Sequence, residues 1–373
     1  MKKELKILLK AYETDASQIT GKATEVIFPE NINDLKQIVK TKDRICIRGG
    51  GSGLVGGAVP QNETVLDLSK LDNIGKIDRD RKTIEVEAGV ILDELQKRIS
   101  KFGLEFPVKP SSHSICTIGG MIATNAVGSR AIKYGKTSDW VNWIEVVDAE
   151  GNLKRKSQTE ITDYAGMEGI TGLITKASLK LISKKIRTAS LIKKETIEEI
   201  HQSVLKNKRN RKVSMIEFID KKISKLIGLS ESYNLIIEYE SDEGELKAEE
   251  YLNLLMKRDE IYPVLAQEGY TKIEDPKIML NKFEQIISWC EKHEVPVFGH
   301  LSVGILHPCF KSIQENLIPE LIKYVVKNSG KISGEHGIGL VKKGFIDIND
   351  RKILINIKKR TDKNGKFNRG KVI

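Results

Sequence analysis

The chain has 373 residues, 39% of them hydrophobic and 30% charged, which is enough for two separate cores and has the make-up of an ordinary soluble protein. No apolar run approaches the ~20 residues of a membrane span, and Cys46, Cys116, Cys290 and Cys309 lie far apart without C-x-x-C spacing, which argues against an iron–sulfur or zinc-ribbon site and suits a reducing compartment. The net charge of +11 is spread along the chain among acidic residues, and its densest cluster, KNKRNRK at 206–212, has no aromatic for base stacking, so nucleic acid is not an expected partner.

The N-terminal MKKELKILLKAYETD starts basic, but Glu4 and Lys10 interrupt any sustained apolar region. It predicts an amphipathic helix rather than a signal peptide, hence a cytoplasmic location, with a peripheral contact to the inner membrane face left open. Arg44–Arg48 alternates as a half-buried strand does. It runs into RGGGSGLVGGAVP, which places six glycines in the nine positions from Gly49 to Gly57. Gly51, Gly53 and Gly56 match G-x-G-x-x-G, yet no helix follows, because Pro60 leads to a second β-like run at 64–68. A Gly-Lys-Ser/Thr ending is also missing, which excludes a nucleoside triphosphate P-loop. What remains is an anion-binding loop between strands, with backbone N–H groups as the receptor.

Strands are next expected at 74–77 and 83–87, then a helix from Val90 to Phe102 ending at Gly103. In PSSHSICTIGGMIATNAVGSRAIKYG (110–135), glycines and alanines allow close backbone approach to a ligand that Thr124 and Asn125 could hydrogen-bond. His113 is expected to make a polar contact in its loop. From about 183 to 328 helices and strands alternate: helix at 196–205, strand at 213–220, helix at 221–229, strand at 233–240. A long helical stretch follows from Glu245 to Gln267, and another helix over 282–292. The change of rhythm predicts a second, α+β domain.

Histidines concentrate late in the chain. His300, His307 and His336 lie beside glycines, and Glu335 adjoins His336. Histidine with carboxylate suits a borderline divalent cation such as zinc or manganese.

RGGGSGLVGGAVP followed by CTIGGMIATNAVGSRAIKYG resembles the flavin-binding domain of the vanillyl-alcohol-oxidase (PCMH) type. More narrowly, it resembles the branch of D-lactate dehydrogenase, glycolate oxidase and D-2-hydroxyglutarate dehydrogenase. YETDAS (12–17), IFPENINDL (27–35), GMEGITGLIT (166–175), FGH (298–300), ISGEHGIG (332–339) and NGKFNRGKV (364–372) extend the resemblance along nearly the whole chain. It implies an α+β protein with a two-part FAD-binding domain over 1–182 and a smaller α+β cap for substrate over 183–328. A segment over 329–373 would return a catalytic motif to the first domain.

The resemblance also implies site residues. Gly49, Gly50, Gly51, Ser52 and Gly53 would wrap the FAD pyrophosphate, with Arg48 either structural or facing the phosphates. Thr117, Gly119, Gly120, Thr124 and Asn125 would line the isoalloxazine and ribityl side, and Glu168 and Ile174 the adenine end. Some relatives carry in this loop a histidine bonded to the flavin; Ser52 stands there, so noncovalent FAD is expected. His300, His307 and Glu335 would hold a metal and His336 would be the base. Arg258 is expected to hold the substrate carboxylate.

Relatives commonly read G-H-x-G-D-G-N-x-H where this chain has GHLSVGILH, so Val303 and Ile305 replace an Asp and an Asn. That puts the metal and the substrate's polar contacts in question. The reaction implied is oxidation of a small D-2-hydroxy acid by hydride transfer to FAD. An alkylglycerone-phosphate-synthase-like flavoenzyme, and a flavin-binding subunit of a larger complex, are the alternatives. The electron acceptor (oxygen, a quinone or a protein) and the oligomeric state are not legible.

Overall fold

Two kinds of β-sequence organise the chain, and each builds its own unit in the computed structural model, which describes residues 2–373, with side chains from Ile7 onward. Unit one comprises Met1–Ala126, Lys136–Lys184 and His336–Ile373; unit two comprises Val127–Gly135 and Lys185–Glu335. Besides a two-residue shift at 183–184, which stay with the first unit, the division differs from the sequence boundaries in two places. Residues 127–135 leave the first unit for the second, and 329–335 stay with the second. The first difference has an electrostatic cause. Arg130 forms a bidentate pair with Glu238 (2.7 and 2.8 Å), a carboxylate at 0% exposure that needs a cation.

Unit one is α+β. The expected N-terminal helix spans Lys2–Tyr12, while Met1 and the side chains before Ile7 lie outside the described residues. Strand Gln61–Asp67 lies between Lys22–Ile27 and Ile45–Arg48 in a parallel three-stranded sheet. Helix Ile32–Thr41 links the outer two; Asn31 Oδ1 caps it from Asn33 and Asp34 N–H, and Leu35 and Val39 pack on Ile45 and Leu66. The chain's last segment completes the edge: Ile45 N–H donates to Lys366 C=O (2.9 Å) and Asn368 N–H to Ile45 C=O (2.8 Å).

An antiparallel sheet of five strands runs in the order Ile74–Asp78, Thr83–Glu87, Leu173–Lys180, Val141–Val147, Leu153–Ser157. The helix expected over 90–102 covers Leu92–Ser100, with Leu92, Leu95 and Ile99 packed on Ile84, Ile144 and Leu179.

Unit two carries an antiparallel sheet in the order Thr188–Lys194, Tyr233–Tyr239, Val213–Ile219, Val297–Gly299, His307–Lys311, Tyr270–Ile273. Every residue of Val213–Ile219 and Tyr233–Tyr239 is buried. The period of two explains how: Ile216 and Phe218 face Phe283, Ile286 and Val325, while Met215 and Ile219 face Leu254, Ile261 and Leu265. Glu217 shares the parity of Met215 and so lies on the second face. The helical stretch expected over 245–267 is two helices, Ala248–Asp259 and Ile261–Gln267. Pro263 breaks it, since its ring lacks an N–H and crowds the carbonyl of Asp259. The basic run 206–212 is a turn between helix Ile197–Asn207 and strand Val213–Ile219, with its lysines and arginines exposed.

Candidate functional site

In unit one, the glycine loop is held by its carbonyls. Gly51 C=O accepts from Ala16 N–H (3.0 Å), and Val55 C=O accepts from Leu340 N–H (2.8 Å). The amide N–H groups of Gly50 to Gly57, in contrast, donate to no group of the described chain, although Val55 and Gly56 are buried. Consecutive buried donors demand an acceptor, and a phosphate oxyanion supplies one.

The glycines also answer to packing. A Cβ at Gly50 would lie 1.9 Å from Ile115 C=O, and one at Gly49 would lie 2.4 Å from Thr117 Oγ1. Gly51 has φ +66°, a left-handed value. Gly53 differs: its missing side chain leaves nothing within 4 Å, an open flank beside the donors. Ser52 lies half-buried between them. These residues fit the pyrophosphate of FAD.

The other residues expected around the flavin take more structural parts. Arg48 donates to Thr14 C=O (2.7 Å) and stacks on Tyr12. Thr117 caps helix Ile118–Thr124 by accepting Gly120 N–H (3.2 Å), and Gly119 lets that helix reach Ala88, where a Cβ would come within 2.6 Å of the alanine's own. Thr124 Oγ1 donates to Gly120 C=O (3.0 Å), and Asn125 Oδ1 accepts Ser138 N–H (3.0 Å). Ile174 is in the core of the five-stranded sheet.

Glu168 is buried beneath the loop that follows His336. Its Oε1 accepts from Ile338 N–H (2.6 Å) and Gly339 N–H (3.2 Å). Burial pushes its pKa up to about 7, against those two N–H groups and the charges of Lys342 and Lys371. His113 makes its expected polar contact, with Nδ1 2.7 Å from Asp93.

Unit two brings together His300, His307 and Glu335, whose ligand atoms all lie within 4.8 Å of one another. His300 Nε2 is 3.6 Å from Glu335 Oε2, and His307 Nε2 is 3.2 Å from Glu335 Oε1. Each imidazole is oriented from behind. His300 Nδ1 is 2.8 Å from Glu217 Oε2, and His307 Nδ1 is 3.4 Å from Glu274 C=O. Both partners accept, so each neutral imidazole can donate from Nδ1 and turn its Nε2 lone pair toward Glu335, the arrangement a metal ion needs. The donor set, two imidazoles and a carboxylate, fits zinc or manganese. Burial alone would lower the pKa of His300; Glu217 and then Glu335 outweigh it and raise it.

Arg258 does not present a free carboxylate clamp. It is 6% exposed, and its guanidinium bonds Glu217 Oε1 (2.8 Å from Nη2) and Asp259. The reason is the parity of the strand: Glu217 is buried on the face that helix Ala248–Asp259 covers. Burial opposes ionisation of Glu217, yet Arg258 and His300 hold its carboxyl down at about 2. Arg258 therefore buttresses the carboxylate that orients His300. His336, the expected base, begins the last segment of unit one, directly after Glu335 in the chain.

Sequence reasoning missed Glu217, Glu274 and Asp275. A lone acid inside the run VSMIEFI, otherwise apolar but for Ser214, was a usable signal, because a charge in a fully buried strand must be paired. Nothing in the sequence distinguished Asp275.

Residues 23–157 match the FAD binding domain family, and 247–372 match the C-terminal domain of the FAD linked oxidases; together the two cover more than half of the chain. The chain belongs to the FAD-linked oxidases. It is an FAD-dependent oxidoreductase acting on CH–OH groups. This FAD-linked oxidase is 28% identical to a glycolate oxidase subunit of Bacillus subtilis, over 91% of the chain and 86% of the relative. It is 29% identical to a D-lactate dehydrogenase of Archaeoglobus fulgidus, over 85% and 83%. With a mitochondrial D-2-hydroxyglutarate dehydrogenase of Arabidopsis thaliana it shares 25% identity over 95% and 75%. Among the described residues, no helix is long and apolar enough to cross a membrane.

Proposed function

We propose that this FAD-linked oxidase converts a small D-2-hydroxy acid, of the D-lactate or glycolate type, to its 2-oxo acid. The observation that carries the reading is the His300–His307–Glu335 cluster, followed at once in the chain by His336. Relatives named for glycolate, D-lactate and D-2-hydroxyglutarate support the substrate class.

FAD, bound noncovalently, supplies the hydride acceptor, and the amides of Gly50–Gly57 hold its pyrophosphate. His336 takes the substrate hydroxyl proton. His300, His307 and Glu335 would hold a divalent cation, zinc or manganese, whose chemistry is to stabilise developing alkoxide charge. Glu217 keeps His300 in the tautomer that ligates, and Arg258 keeps Glu217 ionised. The test is anaerobic flavin bleaching against a panel of D- and L-2-hydroxy acids. Bleaching by none of the D-acids would overturn the reading.

A second reading is that the chain is the flavin-bearing subunit of a larger complex, favoured by its likeness to a protein named as a subunit. Rapid bleaching of the isolated chain, with turnover restored only by added proteins, would support it. Full turnover with a dye acceptor alone would count against it.

A further inference from the structure

We propose that Asp275 is a positioning residue for Glu335; the inference rests on the metal reading above. Asp275 is at 0% exposure in unit two. Its Oδ2 accepts three hydrogen bonds from consecutive residues: Ser333 Oγ (2.8 Å), Gly334 N–H (2.9 Å) and Glu335 N–H (2.7 Å). Its own carbonyl accepts from Gly334 N–H at 2.8 Å. A buried carboxylate thus fixes the backbone from which the Glu335 side chain departs.

The same segment sets the histidine side. The residue before it, Glu274, offers its carbonyl to His307 Nδ1 and donates its N–H to Pro308 C=O (3.0 Å). Two residues after Asp275, Lys277 exchanges backbone hydrogen bonds with Lys331 (2.9 and 2.7 Å). Ile278 N–H donates to Gly304 C=O at 2.7 Å. The stretch 274–278 therefore ties the turn carrying Glu335 to the strand that begins at His307 and the loop before it, and Asp275 is its link to Glu335. The turn has little freedom to settle differently: a Cβ on Gly334 would fall 2.6 Å from Ile305 Cγ1. A carboxylate at 275 makes stronger bonds to these donors than a neutral amide would.

The test is zinc affinity in the FAD-loaded full chain, stripped of metal and titrated with zinc against a chromophoric chelator. Asp275→Asn should keep its FAD and bind zinc about 10- to 100-fold more weakly, the usual effect of losing a group that orients a ligand. Glu335→Gln should also weaken binding. The double variant should be little weaker than Glu335→Gln alone, because Asp275 acts through Glu335. Ser333→Ala removes one of the three donors and should give a smaller loss, which keeps the test decisive if Asp275→Asn fails to fold.

Wild-type protein that binds no zinc would remove the metal reading itself. Wild type that binds zinc while Asp275→Asn and Ser333→Ala bind it equally well would overturn only the role of Asp275. So would a loss in Asp275→Asn that adds in full to that of Glu335→Gln.

Discussion

Removing the charge of Glu238 should destabilise unit two by about 3 kcal/mol. This carboxylate, at 0% exposure, accepts from Arg130 (2.7 and 2.8 Å), Ser214 Oγ (2.5 Å) and Tyr251 Oη (2.6 Å), with Arg187 Nε 3.6 Å away. Burial resists its ionisation, but Arg130, Ser214 and Tyr251 prevail and hold its pKa at about 2 against an ordinary 4.5. At ~1.4 kcal/mol per pH unit, that depression corresponds to about 3 kcal/mol. Glu238→Gln should cost that or slightly more, because the half-buried Arg130 is left beside a neutral amide.

The pH sign follows from the depressed value. The contribution is complete above pH 4.5 and drains away as pH falls toward 2. Wild type should therefore lose stability across that window, and Glu238→Gln should lose less. The assay is urea unfolding followed by Trp289, which lies in unit two, with Trp140 and Trp143 changed to Phe so that it reports alone. A Glu238→Gln variant within ~1 kcal/mol of its parent at neutral pH, or with an unchanged acid slope, would refute the reasoning.

Denaturation by acid or heat should release all the flavin, and Gly51→Asp should abolish its binding, since it adds a side chain at φ +66° and a negative charge beside the phosphates; flavin content of the purified variant checks this. His300→Ala or His307→Ala should lose zinc or manganese by elemental analysis and still retain FAD. His336→Ala and His336→Gln should keep FAD and slow flavin bleaching by roughly 10²- to 10⁴-fold in stopped flow, the worth of a positioned general base. Glu168 has the opposite pH sign to Glu238: its folded pKa is raised from 4.5 to about 7, so its contribution is present below pH 4.5 and lost as pH rises through 7. FAD-free Glu168→Gln should lack that slope in thermal unfolding measured from pH 4 to 8.

Where the sequence carried a local physical signature, it could be read. The glycine loop stood out because six side chains are absent from it, and its amides from Gly50 to Gly57 donate to no described group; His300, His307 and Glu335 fall into one cluster. What escaped depends on pairing between distant residues. Arg258 looked available on its helix because nothing local shows that Glu217, 41 positions earlier, points from the sheet face that this helix covers. The excursion of 127–135 was hidden for the same reason, since its partner Glu238 lies 108 positions later. Glu168 sits in a motif whose family role suggested the adenine end, whereas its Oε1 holds the loop after His336, 170 positions away.

The strand leading into the glycine loop bears on how the protein must be made. Ile47 N–H finds its acceptor on Asn368, 321 positions later, and Ile45 shares backbone bonds with Lys366 and Asn368. At about 5–20 residues per second of synthesis, those partners follow the strand out of the ribosome by on the order of tens of seconds. Through that interval a β edge rich in buried apolar residues has no neighbour on one side, the condition in which nascent chains pair wrongly with one another. The strand that supports the cradle gains its second neighbour only when residues 366–368 arrive, so firm retention of FAD should wait for them. Stalled or prematurely released chains should collect as flavin-free, chaperone-dependent material.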